Sequence, residues 1–397
     1  MASTADSTTP TPSPREPAQV HAYTIPVVSL LGILILIVPF IFHLRARNTG
    51  ACALIGYLSI YNLMVFVNVL IWPDNNFAEW WNGAILCDVE VKIIWPVVVG
   101  VAASTMAITR SLAVVLDVEN AELNPSRAQR RRKVLVDLAI CFVMPLLIVG
   151  LHHIIHNRRY LIVAIVGCTD TYTSSWPTIL IIFIWPLFFT LINVVYAGLV
   201  IVRLRRHRES ISSILSSQSL NTSRFLRLFI MSILLLLIYL PLNIYWFYVN
   251  VAQLPIQPFS WNSVHNPARW NIIPYVPAND AFTVNRYVPA SMSLFVFTFF
   301  GIGTEARRIY ASIGTALGLG TCFPRLLRER RPSTDGIPGG KRGWMDKLSL
   351  VSLGKRYFAK FNNRESEAAT EMASTTRTSS RKPSAVAPEN APSLTFQ

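Results

Sequence analysis

Asp88 and Lys92 stand four residues apart at the start of an otherwise apolar stretch, with Trp95 one turn farther on. Residues at that spacing share one helix face. A carboxylate and an ammonium there form either a local ion pair near the lipid headgroups or the wall of a cavity that takes the polar part of a ligand. Trp95 joins them as a candidate ligand contact, because Pro96 kinks the helix beside it and opens a cavity. Glu90 points to a different face. Cys87 and Cys168 are candidates for a disulfide that would tether a loop over the mouth of the site; the alternative is two free thiols. His152, His153 and His156 cluster at the end of another apolar stretch, with His152 and His156 on one face. They lack an intervening Glu and an evident third ligand, so a hydrophilic cap is favoured over zinc. No Gly-x-Ser-x-Gly elbow, P-loop or Gly-x-Gly-x-x-Gly stands in the chain, so neither catalysis nor a cofactor is expected.

A second group is cationic. Arg110, Arg203, Arg205, Arg206 and Arg224 fall at the ends of three apolar stretches, near the runs 127–133 and 203–208. Gathered in one place they would repel one another by several kcal/mol at low effective dielectric. Phosphate, anionic lipid or a partner's acidic surface would have to neutralise them.

The elements that position these residues follow from composition. Of 397 residues, 52% are hydrophobic and only 14% charged, against about 25% charged in soluble domains. The formal charge of +15 allows nucleic acid or a membrane surface as partner. The apolar content selects the membrane. Seven segments reach spanning length: 23–44, 52–72, 85–116, 134–155, 177–202, 225–250 and 284–304. Each must satisfy its own backbone in lipid, so the expected fold is an all-α, seven-helix transmembrane bundle over 23–304. With the N-terminus outside, the inner loops hold Arg45, Arg47, the 127–133 run and the 203–208 run, while the outer loops hold few cations. The positive-inside bias therefore places the C-terminus in the cytosol. Residues 1–22 read as a disordered external segment and 305–317 as a short amphipathic helix on the inner leaflet. Residues 318–397 read as a disordered cytosolic tail. Cys322 is a candidate lipidation site. Pro241, inside the sixth span, removes a backbone hydrogen bond and is expected to act as a hinge. No Gly-x-x-x-Gly within a span argues for a homodimer, which is left open.

The run Leu86-Cys87-Asp88-Val89-Glu90-Val91-Lys92 resembles the Cys-Asp-(Ile/Val)-x-x-Lys start of the third helix in fungal a-factor-type mating pheromone receptors, the class D G-protein-coupled receptors. Leu240-Pro241-Leu242-Asn243-Ile244-Tyr245 is similar to their sixth-helix motif. Phe297 to Tyr310, with its Gly-x-Gly-x-Glu-Ala exit, is similar to the end of their seventh helix. Ile108-Thr109-Arg110 resembles the inner end of their third helix, although Ser111 replaces a frequent second Arg. The resemblance spans about 23–317. It implies a plasma-membrane receptor for a farnesylated, carboxymethylated peptide pheromone that activates a heterotrimeric G protein, and no enzyme. Tyr245, Tyr248 and Tyr287 would then either line an apolar ligand pocket with Asp88, Lys92 and Trp95 or anchor their helices at the membrane interface, and the five arginines would meet the G protein. A seven-helix transporter or channel is the rival reading, and it would need repeated halves that the sequence lacks.

Overall fold

A computed structural model describes residues 17–117, 126–206, 222–252, 256–301, 306 and 309–310. The expected tail 318–397, Cys322 and most of the expected amphipathic helix lie outside them. Six long helices dominate: α1 (Pro17–Arg45), α2 (Thr49–Ile71), α3 (Leu86–Val115), α4 (Arg127–Ile155), α5 (Trp176–Arg206) and α6 (Thr222–Ala252). All six are long and apolar enough to cross a membrane. Helix α1 starts at Pro17, inside the segment read as disordered, since Pro suits a first helical turn.

The expected seventh span is interrupted. A short helix at Asp280–Val284 and a 3-10 turn at Asn285–Tyr287 lead into α7 (Val288–Phe300), which has 13 residues. Thirteen residues cover about 20 Å, short of a hydrocarbon core of ~30 Å. Pro289, at the start of α7, has no N–H to continue the ladder backwards and crowds the preceding turn.

Helix α3 is the hub and packs against α2, α4, α5 and α6. In its most apolar 18-residue stretch 72% of residues are buried, against 22% for α4, the most peripheral of the six. Small residues make this possible: Gly100, Ala102, Ala103, Ser104 and Ala107 form the buried middle of α3. The ring of Tyr57 occupies the space that a Cβ at Gly100 would need, and its hydroxyl donates to the Cys141 carbonyl at 2.9 Å. One tyrosine thus joins α2, α3 and α4. Helix α5 contains a π-helical turn at Ile179–Phe183, just before Pro186. There the Trp185 indole donates to the Leu180 carbonyl at 2.8 Å, satisfying an acceptor in the widened turn.

The all-α expectation needs one correction. The α4–α5 connection folds into β1 (Leu161–Val163) antiparallel to β2 (Gly167–Thr169), and β3 (Tyr275–Val276) adds parallel to β1. The reversal uses positive φ at Ile165 (67°) and Gly167 (80°). The little sheet buries Ile162 and Val163 over the ends of the helices, so backbone groups covered by the loop are paired rather than orphaned.

Candidate functional site

The sheet carries two residues that close the site. Cys168 on β2 is joined by a disulfide to Cys87 in the first turn of α3, with 5.2 Å between Cα atoms. Two residues later, Asp170 lies under the loop. Its Oδ2 accepts from the Trp95 indole at 2.8 Å and faces His152 Nε2 at 2.8 Å. Its Oδ1 accepts from the Thr171 backbone N–H at 2.7 Å and stands 3.6 Å from His156 Nε2.

Lys92 completes the cluster from α3, with its Nζ 3.3 Å from Nδ1 of both His152 and His156. An ammonium can only donate. Both Nδ1 atoms therefore accept, which leaves each Nε2 turned toward Asp170. The result is a relay from Lys92 through His152 to the Asp170 carboxylate, across α3, α4 and the loop, with His156 held by Lys92 and its Nε2 3.6 Å from Asp170, beyond hydrogen-bond range. Burial, reinforced by Lys92 and His152, pushes His156 down to about 4 against the pull of Asp170, so it is neutral at ordinary pH. Asp170 meets Trp95, His152 and the Thr171 N–H within hydrogen-bond distance. Lys92 is half-buried, and two of its three protons go to the imidazoles.

Two expectations change here. Asp88 does not pair with Lys92. It accepts two hydrogen bonds from Arg159, at 2.7 and 2.6 Å, and a third from the Ile85 backbone N–H at 3.1 Å. The pairing suits the geometry: Asp88 sits in the first helical turn, where capping and a planar guanidinium both reach it. The carboxylate also raises the Arg159 guanidinium above its usual range. Nor are His152 and His156 a hydrophilic cap, since they are 0% and 2% exposed. The loop covers them, and sequence spacing cannot show a cover contributed by a distant segment. Among the described residues no group of three or more His, Cys, Asp or Glu is placed to hold a metal.

The remaining candidates divide. Tyr245 and Tyr248 point outward from α6, with 62% and 56% of their surface exposed. Tyr287 lies against α1, its hydroxyl 2.5 Å from Thr24 Oγ1 and 2.9 Å from His21 Nδ1. The structure therefore links Lys92 and Trp95 through His152 and Asp170, sets Asp88 beside them, and leaves the three tyrosines elsewhere. Pro241 is exposed within an unbroken α6. Nearby, Asn243 donates to Thr190 of α5 at 3.0 Å. Glu90, which the spacing sets on a different face from Asp88 and Lys92, is buried and accepts from Asn68 of α2 at 2.7 Å. Asn68 was the available signal, a second polar residue inside an apolar run.

At the opposite, basic end, two of the five arginines are neutralised within the chain. Arg110 pairs with Asp137 of α4 at 2.9 Å. Arg203 pairs with Asp117 at 2.8 Å and also donates to the Ala113 carbonyl. The expectation that only lipid or a partner could neutralise them is corrected, because α4 and the end of α3 supply both carboxylates. Arg205 and Arg206 are exposed, and the Arg224 side chain lies outside the described residues.

No solved structure matches the chain. It is similar to the pheromone B alpha 2 receptor of Schizophyllum commune, 28% identical over 84% of this chain and 52% of that protein. It is also similar to the pheromone a factor receptor of Saccharomyces cerevisiae, 28% identical over 78% of this chain and 66% of that protein. Pheromone receptor 1 of Mycosarcoma maydis is 27% identical over 78% of this chain and 87% of its own length. The chain thus spans about half the length of the Schizophyllum receptor it matches. The family model described as Pheromone A receptor matches residues 24–318, a stretch that contains α2 to α7, the disulfide and the buried polar cluster, and the chain belongs to that family of multi-pass membrane receptors.

Proposed function

We propose that the chain is a seven-helix, plasma-membrane G-protein-coupled receptor for a farnesylated peptide pheromone. Its disulfide end faces outward and its basic end faces the cytosol. The observation that carries this reading is the Lys92–His152–His156–Asp170 relay, held under a disulfide-tethered loop at one end of the bundle. Its formal charges balance: Lys92 is offset by Asp170, and Arg159 by Asp88. A neutral site of this kind favours an uncharged carbonyl, such as an esterified peptide terminus, over a free carboxylate. The third Lys92 proton is the donor for it. The prenyl chain takes apolar surface on the outer half of α6, where Tyr245 and Tyr248 are exposed. Pro241 lets α6 bend between two packings, and Arg110 meets the G protein.

The test uses the full chain in lipid nanodiscs, a synthetic prenylated, methyl-esterified peptide and a purified heterotrimeric G protein. Lys92→Gln should weaken peptide binding by about tenfold, the order of one charge-assisted hydrogen bond. Arg110→Ala should leave binding within a few-fold and abolish nucleotide exchange, and Arg110→Ala/Asp137→Asn, which removes the stranded carboxylate, should not restore it. Pro241→Leu should alter basal or ligand-driven exchange. Solute flux without nucleotide exchange would overturn the reading in favour of a transporter.

A further inference from the structure

The basic end holds two kinds of cation. Arg110 and Arg203 point toward neighbouring helices and are paired with Asp137 and Asp117. Arg127, Arg130, Arg131 and Arg132, in the first turns of α4, are exposed. Among the described residues they form no ion pair or side-chain hydrogen bond.

We propose that the first turns of α4 form a binding site for the multiply phosphorylated headgroup of an inositol lipid. Three observations on α4 lead there. The helix has 29 residues, about 43 Å, against a hydrocarbon core of ~30 Å. Its apolar part begins only at Val134, so the preceding turns stand at headgroup level. Those turns are a fixed frame: Ser126 Oγ accepts from the Gln129 N–H at 3.3 Å while Gln129 Oε1 accepts from the Ser126 N–H at 2.6 Å, a reciprocal cap. Arg127, Arg130 and Arg131 are neighbours on one face of that frame, with Cβ atoms about 6 Å apart. One polyanion can therefore meet several guanidinium forks, each able to grip a phosphate bidentately. The aliphatic stems of Arg127, Arg131 and Arg132 also line an open, largely apolar depression of about 520 Å³ with Ala128 and Leu135, where the short Ala128 side chain leaves room beneath the headgroup.

A lipid is the occupant rather than a protein because α4 is the peripheral helix of the bundle. Its arginines, unpaired among the described residues, belong to the lipid-facing side, not to the region between α3, α5 and α6 where Arg110 and Arg203 are already engaged. A basic cluster next to a span attracts any anionic lipid. Selectivity for the multiply phosphorylated headgroup comes from the close spacing of the forks.

The proposal rests on the cytosolic orientation above only for the leaflet in which the lipid is met in the cell. The full chain is placed in nanodiscs with phosphatidylinositol 4,5-bisphosphate or with phosphatidylserine at equal total charge, both leaflets alike. Lipid retained after exchange into neutral discs is then measured by native mass spectrometry. Wild type should retain the bisphosphate at least about tenfold more than phosphatidylserine. The triple variant Arg127→Gln/Arg130→Gln/Arg131→Gln should lose that excess. Ala128→Glu, which fills the depression with a negative charge, should lose it too and guards against misfolding of the triple variant. Equal retention of the two lipids, or unchanged retention in both variants, overturns the proposal. So does a triple variant that loses nucleotide exchange on the G protein in discs free of phosphoinositide, since the cluster would then be a protein dock. Because both leaflets carry the lipid, retention reads the site whichever face is cytosolic, and loss of all exchange in wild type counts against the receptor reading alone.

Discussion

His156 offers a sharp test of the relay, because burial and Lys92 oppose its protonation while Asp170 favours it. In the closed loop its Nδ1 accepts from Lys92 at 3.3 Å, and its ring lies 4.7 Å from His152 and 5.2 Å from Trp270. Protonation would set two cations side by side, with only Asp170, 3.6 Å away, in compensation. The group is held at about 4, against 6.5 when water reaches it. The closed state therefore binds fewer protons than the opened one. Its stability is full above pH 6.5, declines as pH falls from 6.5 toward 4, and levels off below. The linkage cost at pH 5 is about 2 kcal/mol, approaching roughly 3 kcal/mol below pH 4. Two measurements check this. Histidine labelled at Cε1 should show one ring titrating near 4 in the NMR spectrum of the detergent-solubilised chain. Unfolding free energy should drop by about 2 kcal/mol more between pH 7 and 5 in wild type than in His156→Gln, whose amide oxygen still accepts from Lys92 but does not titrate. Equal acid sensitivity in the two proteins would refute the reasoning, as would a ring that titrates at its ordinary value.

Three further outcomes follow from the packing. Cys87→Ser should cost about 2–4 kcal/mol, because the bridge closes a loop of sequence separation 81; thermal melts with and without reductant should converge on the variant's midpoint. Gly100→Val should drive out the Tyr57 ring that fills the Cβ position, at a cost of about 1–3 kcal/mol, while Gly150→Val, which meets no neighbour within 4 Å, should cost no more than about 1 kcal/mol; scanning fluorimetry separates the two. Arg110→Ala should destabilise the chain by about 3 kcal/mol through the carboxylate left at Asp137, and Asp137→Asn should recover part of that loss; additive effects of the two changes would show that the pair is not coupled.

Most of the helical frame was legible because the membrane writes it into the chain. A span must be apolar over its whole length and must pair its own backbone, so 52–72, 85–116 and 225–250 lie close to α2, α3 and α6. The ends were less legible. Helix α4 begins at Arg127 rather than 134 because arginine is a good helix former and Ser126 caps the turn, while hydropathy sees only charge. Helix α7 is shorter than its apolar run because Pro289 interrupts the ladder, a local event that hydropathy averages away.

The site divides along the same line. The sequence by itself determined which residues of α3 share a face and that polar groups in that stretch need partners. It also showed that one end of the molecule gathers arginine. Which partner each group takes was decided by tertiary structure. Asp88 could be read as partner to Lys92, four residues away, until the loop brought Arg159 to it in a two-bond grip that a flexible ammonium cannot match. Lys92 then meets the two imidazoles, and Asp170, 78 residues farther along the chain, closes the relay because the Cys87–Cys168 bridge and the small sheet hold it there. Periodicity records only neighbours three and four residues apart, whereas these contacts join segments that meet only when α3, α4 and the loop pack. The polar chemistry was therefore visible as residues, and its connections exist only in the fold.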